Sequence, residues 1–287
     1  MSAILEFIER AVTEVRTEAT TAEIALCVGV VALAVIVASV IADRVRPPDS
    51  PARTALRRAV RGLAVVAVFV ELSVHVAKSG WLTGADVAVL DWFVGHRSPG
   101  LTAIARAVTS VGSPAGVAII GVLLAGFLGW RRRSVLPTVL ILGIVVVAAA
   151  ASTITKLVVG RARPAPMYQL MTETDLSYPS GHVTGTAALA GAVLLVYLGA
   201  KPTVLRGTAA ALLATVVVLV VALTRLYLGV HWLTDVVGGS LLGSAVVLLG
   251  AAVQPYLRSR SPRRPVAGPA IAAAPSCQSE QSEYSRL

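Results

Sequence analysis

Residues 134–164 read SVLPTVLILGIVVVAAAASTITKLVVGRARP, and this stretch decides the fold. From Ser134 to Thr155 there is no charged side chain, and at 1.5 Å per residue such a run is long enough to cross the hydrocarbon core of a bilayer as a helix. A helix of this length on a soluble protein would show a charged face. Here the charges wait until the run is over and then arrive together, as Lys156, Arg161 and Arg163.

Working outward, the same pattern recurs. Residues 24–42, 107–130, 183–200, 207–224 and 236–257 are each free of charge, and residues 62–77 are interrupted only by Glu71 and His75. That makes seven predicted spans. The composition agrees: of 287 residues, 56% are hydrophobic and only 14% charged, where a soluble domain carries about 25% charged residues. A soluble enzyme and a disordered regulator are excluded. Cys27 and Cys277 give neither metal spacing nor a disulfide framework. The residues before the first span hold Glu6, Glu9, Glu14, Glu18 and Glu23 against Arg10 and Arg16, which is no signal peptide, since those begin basic.

A net charge of +10 could suggest nucleic acid, but its distribution argues for topology. Arg44, Arg46, Arg53, Arg57, Arg58 and Arg61 lie between spans one and two, Arg131 to Arg133 between three and four, Lys201 and Arg206 between five and six, and five more arginines beyond span seven. These alternate segments hold sixteen of the 25 basic residues, whereas the opposite set holds nine, together with ten of the fifteen acids. The positive-inside rule therefore puts the first set in the cytoplasm and the N-terminus outside, and no nucleic-acid partner is expected. Segment 79–106, with Trp81, Trp92 and Phe93, suits an interfacial loop or short helix at the outer headgroup level, and equally a plain loop. Beyond residue 257 the chain is rich in Pro, Ser, Arg and Ala and reads as a disordered cytoplasmic tail.

Polar residues crowd into two of the outer loops. The first runs from Lys156 through Arg161, Arg163 and Pro164 to Tyr178-Pro179-Ser180-Gly181-His182, and the second from Thr224-Arg225 to His231 and Asp235. Two spans separate these loops, so both open on one membrane face. Lys156, Arg163 and Arg225 suit an oxyanion, although any one alone would read as headgroup snorkelling. Ser180 and Gly181 precede a helix start, which favours an anion but also describes an ordinary N-cap turn. His231 and Asp235 stand four apart, so the carboxylate can hold the imidazole in one tautomer. An oriented neutral imidazole is a nucleophile toward phosphorus, and His182 can supply the acid for a leaving group. Glu71 and His75 are also four apart, inside a span; such residues are functional candidates by default, but pairing as polar glue is the simpler reading.

Lys156 with six residues to Arg163-Pro164, then Pro179-Ser180-Gly181-His182, then Arg225 with five residues to His231 and three more to Asp235, resembles the three-part signature of type 2 phosphatidic acid phosphatases, whose site is similar to that of vanadium haloperoxidases. The resemblance implies an all-α polytopic membrane bundle, with a six-span phosphatase core over residues 62–257 preceded by an extra N-terminal span in residues 1–61 and followed by the tail, 258–287. It implies that Lys156, Arg163, Arg225, Ser180 and Gly181 bind phosphate. His231 would form a phosphohistidine, Asp235 would orient it, and His182 would act as the acid, with neither metal nor other cofactor. Thr224 departs from the family's usual Ser but keeps a hydroxyl. The expected protein is an integral plasma-membrane lipid phosphatase with an extracytoplasmic site. Its partners would be membrane lipids and a lipid phosphate substrate: a polyprenyl diphosphate, phosphatidic acid or phosphatidylglycerol phosphate. The motifs touch phosphate, not the tail, and do not choose among these; nor does the sequence give the oligomeric state. An anionic-lipid transporter or flippase is the rival from another class, and a haloperoxidase is disfavoured by the seven spans.

Overall fold

The computed structural model describes residues 2–198 and 203–260, and among them every regular element is helical. In chain order these are α1 (Ser2–Val45), α2 (Pro51–Ala77), a 3-10 turn (Trp81–Thr83), α3 (Gly84–Gly95), α4 (Pro99–Val111), α5 (Pro114–Arg132), α6 (Leu136–Val159), a second 3-10 turn (Pro166–Tyr168), α7 (Gly181–Leu198), α8 (Val204–Tyr227) and α9 (Leu233–Arg260). Seven of them, α1, α2 and α5 to α9, are long and apolar enough to cross a membrane, matching the seven predicted spans. Their outward faces carry bare Leu, Val and Ile side chains, such as Leu33, Val122, Leu123, Val146 and Leu213. In water so much exposed apolar surface would drive aggregation, whereas lipid solvates it. The chain is an integral membrane protein.

α7 and α9 form the centre. They pack against each other, with α6 and α2 alongside, and α1 lies along α2. Glycines allow the close α7–α9 approach. A Cβ at Gly239 would stand 2.8 Å from the Ser180 carbonyl oxygen, and one at Gly243 would meet Ala187 at 2.7 Å. Around this pair lies the main core of Phe69, Leu72, Ile141, Ile144, Tyr178, Ala188, Ala192, Leu242 and Val246.

Two expectations need correction. Residues 107–130 are not one span: α4 ends at Val111, and α5 starts at Pro114 behind Ser113, whose Oγ accepts the Gly116 N–H at 3.0 Å. A Ser cap followed by proline at the first helical position is a strong start signal, and it outweighs the continuity of the apolar run. Residues 107–111 therefore belong to α4, so segment 79–106 holds a 3-10 turn, all of α3 and most of α4. The segment before residue 62 is also less of a loop than its charge suggested. α2 begins at Pro51 and carries Arg53, Arg57, Arg58 and Arg61. Arg57 reaches Asp43 of α1 at 2.7 Å, Arg61 pairs with the same carboxylate, and Arg58 donates to the Ala251 carbonyl of α9 at 2.9 Å. The predicted disordered tail falls on residues outside those described, except that α9 continues through Arg260.

Glu71 and His75 pair with each other, Nε2 to Oε1 at 3.2 Å, and the imidazole packs edge-on to Trp81.

Candidate active site

The C-termini of α6 and α8 and the N-termini of α7 and α9 meet at one end of the bundle. α6 closes at Gly160, which takes a left-handed φ of 65° and turns the chain so that Arg161 and Arg163 fold back over the helix ends. The Ser180 N–H donates to the Asp235 carbonyl at 3.0 Å, tying the start of α7 to that of α9. The two motif loops thus share a face, as their parity requires.

The N-terminus of α7 is left open. Ser50, Ser98, Ser113 and Thr203 each cap their own helix through the side chain. Ser180 does not: its Oγ is buried and has no hydrogen-bond partner among the described residues. The first N–H groups of any helix lack an intrahelical acceptor, so this hydroxyl and the amides of Gly181 and its neighbours form a cradle suited to an anion. The Nε of Arg225 is likewise buried without a partner. Two orphaned buried donors in one site are costly unless a ligand completes them.

The cations surround this cradle. Arg225, in the last turn of α8, is fully buried; its guanidinium donates to Thr109 Oγ1 of α4 at 2.7 Å and pairs with Glu173. Lys156, in the last turn of α6, donates to the Leu176 carbonyl and lies 3.1 Å from Asp175. Arg163 donates to the Asp175 and Val230 carbonyls at 2.8 and 2.7 Å and pairs with the Asp175 carboxylate. Glu173 and Asp175 pair with the cations. Burial raises the Asp175 carboxyl, but Lys156 and Arg163 outweigh it, and the group is held below the usual carboxylate range.

His231 sits in the turn just before α9 and is 1% exposed. Its Nδ1 lies 3.2 Å from Asp235 Oδ2, and its Nε2 lies 3.2 Å from Arg163 Nη1. A guanidinium can only donate and a carboxylate can only accept, so Nδ1 carries the hydrogen and Nε2 the lone pair. Burial, against the opposing pull of Asp235, lowers the imidazole pKa to about 4. His231 is therefore a neutral imidazole whose Nε2 lone pair faces a cluster of cations. His182, in the first turn of α7, is mostly buried, feels Arg225 and His231, and hydrogen-bonds to none of the described residues.

A cavity of about 700 Å³ lies between α5, α6 and α7, reaching the loop that carries Arg163 and Asp175. Lys156, Arg163, Asp175 and Gly181 line its polar end, and Val117, Val145 and Ala149 its apolar wall. Among the described residues, no three His, Cys, Asp or Glu side chains converge as a metal site.

Five residues of the site were not anticipated for it. Glu173 and Asp175 hold the cations, and Ser177 Oγ donates to Asp235 Oδ2. Arg161 bridges Asp235 Oδ1 at 2.7 Å and Asp86 Oδ2 at 2.5 Å. Arg161 stood in view two residues before Arg163, and the pair of acids in a cationic loop was a charge signal; for Ser177 and for Asp86, on the interfacial α3, there was none.

Comparison with known proteins points to one family. Residues 137–259 match the model of the PAP2 superfamily. The chain is 36% identical over 154 residues to the decaprenylphosphoryl-5-phosphoribose phosphatase of Mycobacterium tuberculosis, covering 52% of this chain and 77% of that protein. It is 35% identical over 114 residues to the undecaprenyl-diphosphatase of Sulfolobus acidocaldarius, covering 38% of this chain and about half, 51%, of that protein. Among solved structures, the fold matches a transmembrane PAP2 type phosphatidylglycerolphosphate phosphatase from Bacillus subtilis with a TM-score of 0.62 at 23% identity, covering 71% of this chain and 98% of the other.

Proposed function

The chain belongs to the PAP2 superfamily, and from that premise we propose that it is a lipid phosphatase using His231 as nucleophile. The observation that carries this reading is the His231 ring itself: Nδ1–H is held by Asp235, which leaves the Nε2 lone pair aimed into the cationic cluster. Lys156, Arg163 and Arg225, with the Ser180 hydroxyl and the amide of Gly181, would take the nonbridging phosphate oxygens. They would stabilise the charge that grows as phosphorus becomes five-coordinate. Nε2 attacks phosphorus, the bond from phosphorus to the leaving oxygen breaks, and His182 delivers a proton to that oxygen. Asp235 stabilises the positive imidazole of the resulting phosphohistidine. Water then attacks, losing its proton to His182, and orthophosphate leaves with His231 restored. Three cations serve where other phosphatases use a divalent ion, so turnover survives EDTA.

Both of these relatives carry a polyprenyl group in their names, which supports a polyprenyl-linked phosphate such as a polyprenyl diphosphate as the substrate, ahead of phosphatidic acid and phosphatidylglycerol phosphate. The basic-residue count supports an extracytoplasmic site. A transporter would place its ionisable groups near the midplane; here they sit at one edge of the bundle, which favours hydrolysis. The test is phosphate release by the purified protein in mixed micelles. A C55-type diphosphate should release phosphate faster than phosphatidic acid at equal surface fraction. Turnover of phosphatidic acid with the polyprenyl lipid inert would reverse the substrate assignment, and release from none of the lipids would reject the phosphatase reading.

A further inference from the structure

We infer that Arg161 and Asp86, which lie outside the phosphate cradle, are positioning residues that set the orientation and the charge of Asp235. This rests on the phosphatase reading above and extends it to an element, α3, that none of the three motifs contains.

The geometry is specific. Asp235 Oδ2 receives the Ser177 hydroxyl, the Trp232 N–H at 2.8 Å and the His231 Nδ1–H, so that oxygen is crowded with donors. Among the described residues, Oδ1 is held by Arg161 Nη1 alone. That contact fixes the carboxylate plane and hence the direction in which Oδ2 meets the imidazole. Arg161 is itself gripped by the start of α9: its guanidinium lies 5.5 Å over the Trp232 ring, and its Nη1 also donates to Thr234 Oγ1 at 2.6 Å. Its other arm goes to Asp86, which is 2% exposed and also accepts the Thr234 N–H at 2.9 Å and the Thr234 hydroxyl at 2.8 Å.

Charge gives the couple its second effect. An isolated Arg161–Asp235 pair would be neutral and would leave little negative charge for the imidazolium that forms on phosphorylation. With Asp86 on the far side, one guanidinium is shared between two carboxylates. The trio keeps one net negative charge, and Asp235 retains its pull on Nδ1–H in a site of low dielectric. Asp86 belongs neither to the proposed phosphate cradle nor to the cavity lining, so the effect of replacing it belongs on the chemical step and not on binding.

The experiment is a double-mutant cycle with Asp86→Asn and Asp235→Asn in the full-length protein, reading kcat and KM for a lipid phosphate that the wild-type protein hydrolyses, with thermal unfolding measured in parallel. Asp86→Asn should lower kcat roughly 10- to 100-fold, the usual scale for outer partners of a held histidine, with KM within about twofold. In the Asp235→Asn background the same substitution should have far less effect, because its route to His231 is gone. An unchanged kcat, or an equal fold-loss in both backgrounds, overturns the inference. If Asp86→Asn does not fold, Arg161→Lys takes its place in the cycle, since an ammonium cannot bridge both carboxylates as the fork does; wild-type kcat in that variant overturns it equally. Absence of turnover by the wild-type protein would strike the phosphatase reading instead, so the two failures are distinguishable.

Discussion

Arg163 Nη1 lies 3.2 Å from His231 Nε2, so the cation proposed to hold phosphate adjoins the atom proposed to attack it. His231→Ala should therefore abolish turnover without unfolding the protein. Asp235→Asn should leave a small residue, on the order of 10⁻⁴ of wild type by analogy with other carboxylate-held catalytic histidines. Circular dichroism and phosphate release on the purified variants check both.

The charge state of His231 is open to direct measurement. Its pKa is lowered to about 4, with burial as the dominant cause, against about 6.5 in an unfolded chain. Between these values the unfolded chain binds a proton that the native ring refuses, so this residue's contribution to stability falls as pH drops from about 7 toward 4. A titration of ¹⁵N-histidine-labelled protein by NMR, assigned with His231→Ala, should show a midpoint near 4. A midpoint near 6.5 would contradict the buried neutral imidazole.

Asp175 occupies the cations that phosphate needs. Because Lys156 and Arg163 hold its carboxyl below the ordinary range, it stays charged at neutral pH, and phosphate must displace it as one anion for another. Its side chain is 54% exposed, and ion pairs at such sites are worth at most about 1 kcal/mol. Asp175→Asn should therefore lower KM by no more than about fivefold, with little change in kcat. A raised KM would mean that the carboxylate assists binding.

The arginine distribution predicts the sidedness. In a background lacking Cys27 and Cys277, a single cysteine replacing Lys78, at the end of α2 next to the site, should react with an impermeant thiol reagent in intact cells. One replacing Arg133, at the far end of α5, should react only after lysis. The reverse pattern would invert the bundle.

The spans were legible because lipid leaves a one-dimensional record: a long run without charge admits few other readings. The exception, residues 107–130, shows the limit, since lipid-facing and interfacial helices use the same residues and only Ser113-Pro114 marks the break. The Glu71–His75 pair was legible because it is local, one helical turn apart. Lys156, Arg163, Ser180, Arg225, His231 and Asp235 could be brought to one face by counting spans. The couple of Arg161 with Asp86 could not, because its partners lie 75 residues apart and only the packing of α3 against α9 joins them. The same holds for Ser177 on Asp235, 58 residues away.

The proposed reaction passes through a covalent bond between phosphorus and His231 Nε2. Incubating the protein with a ³²P-labelled lipid phosphate, quenching in alkali, where phosphohistidine survives, and mapping the labelled peptide would test it most directly. Base-stable, acid-labile label is expected on His231 in the wild-type protein and none in His231→Ala. Steady turnover with no label on His231, or undiminished turnover in His231→Ala, would contradict it.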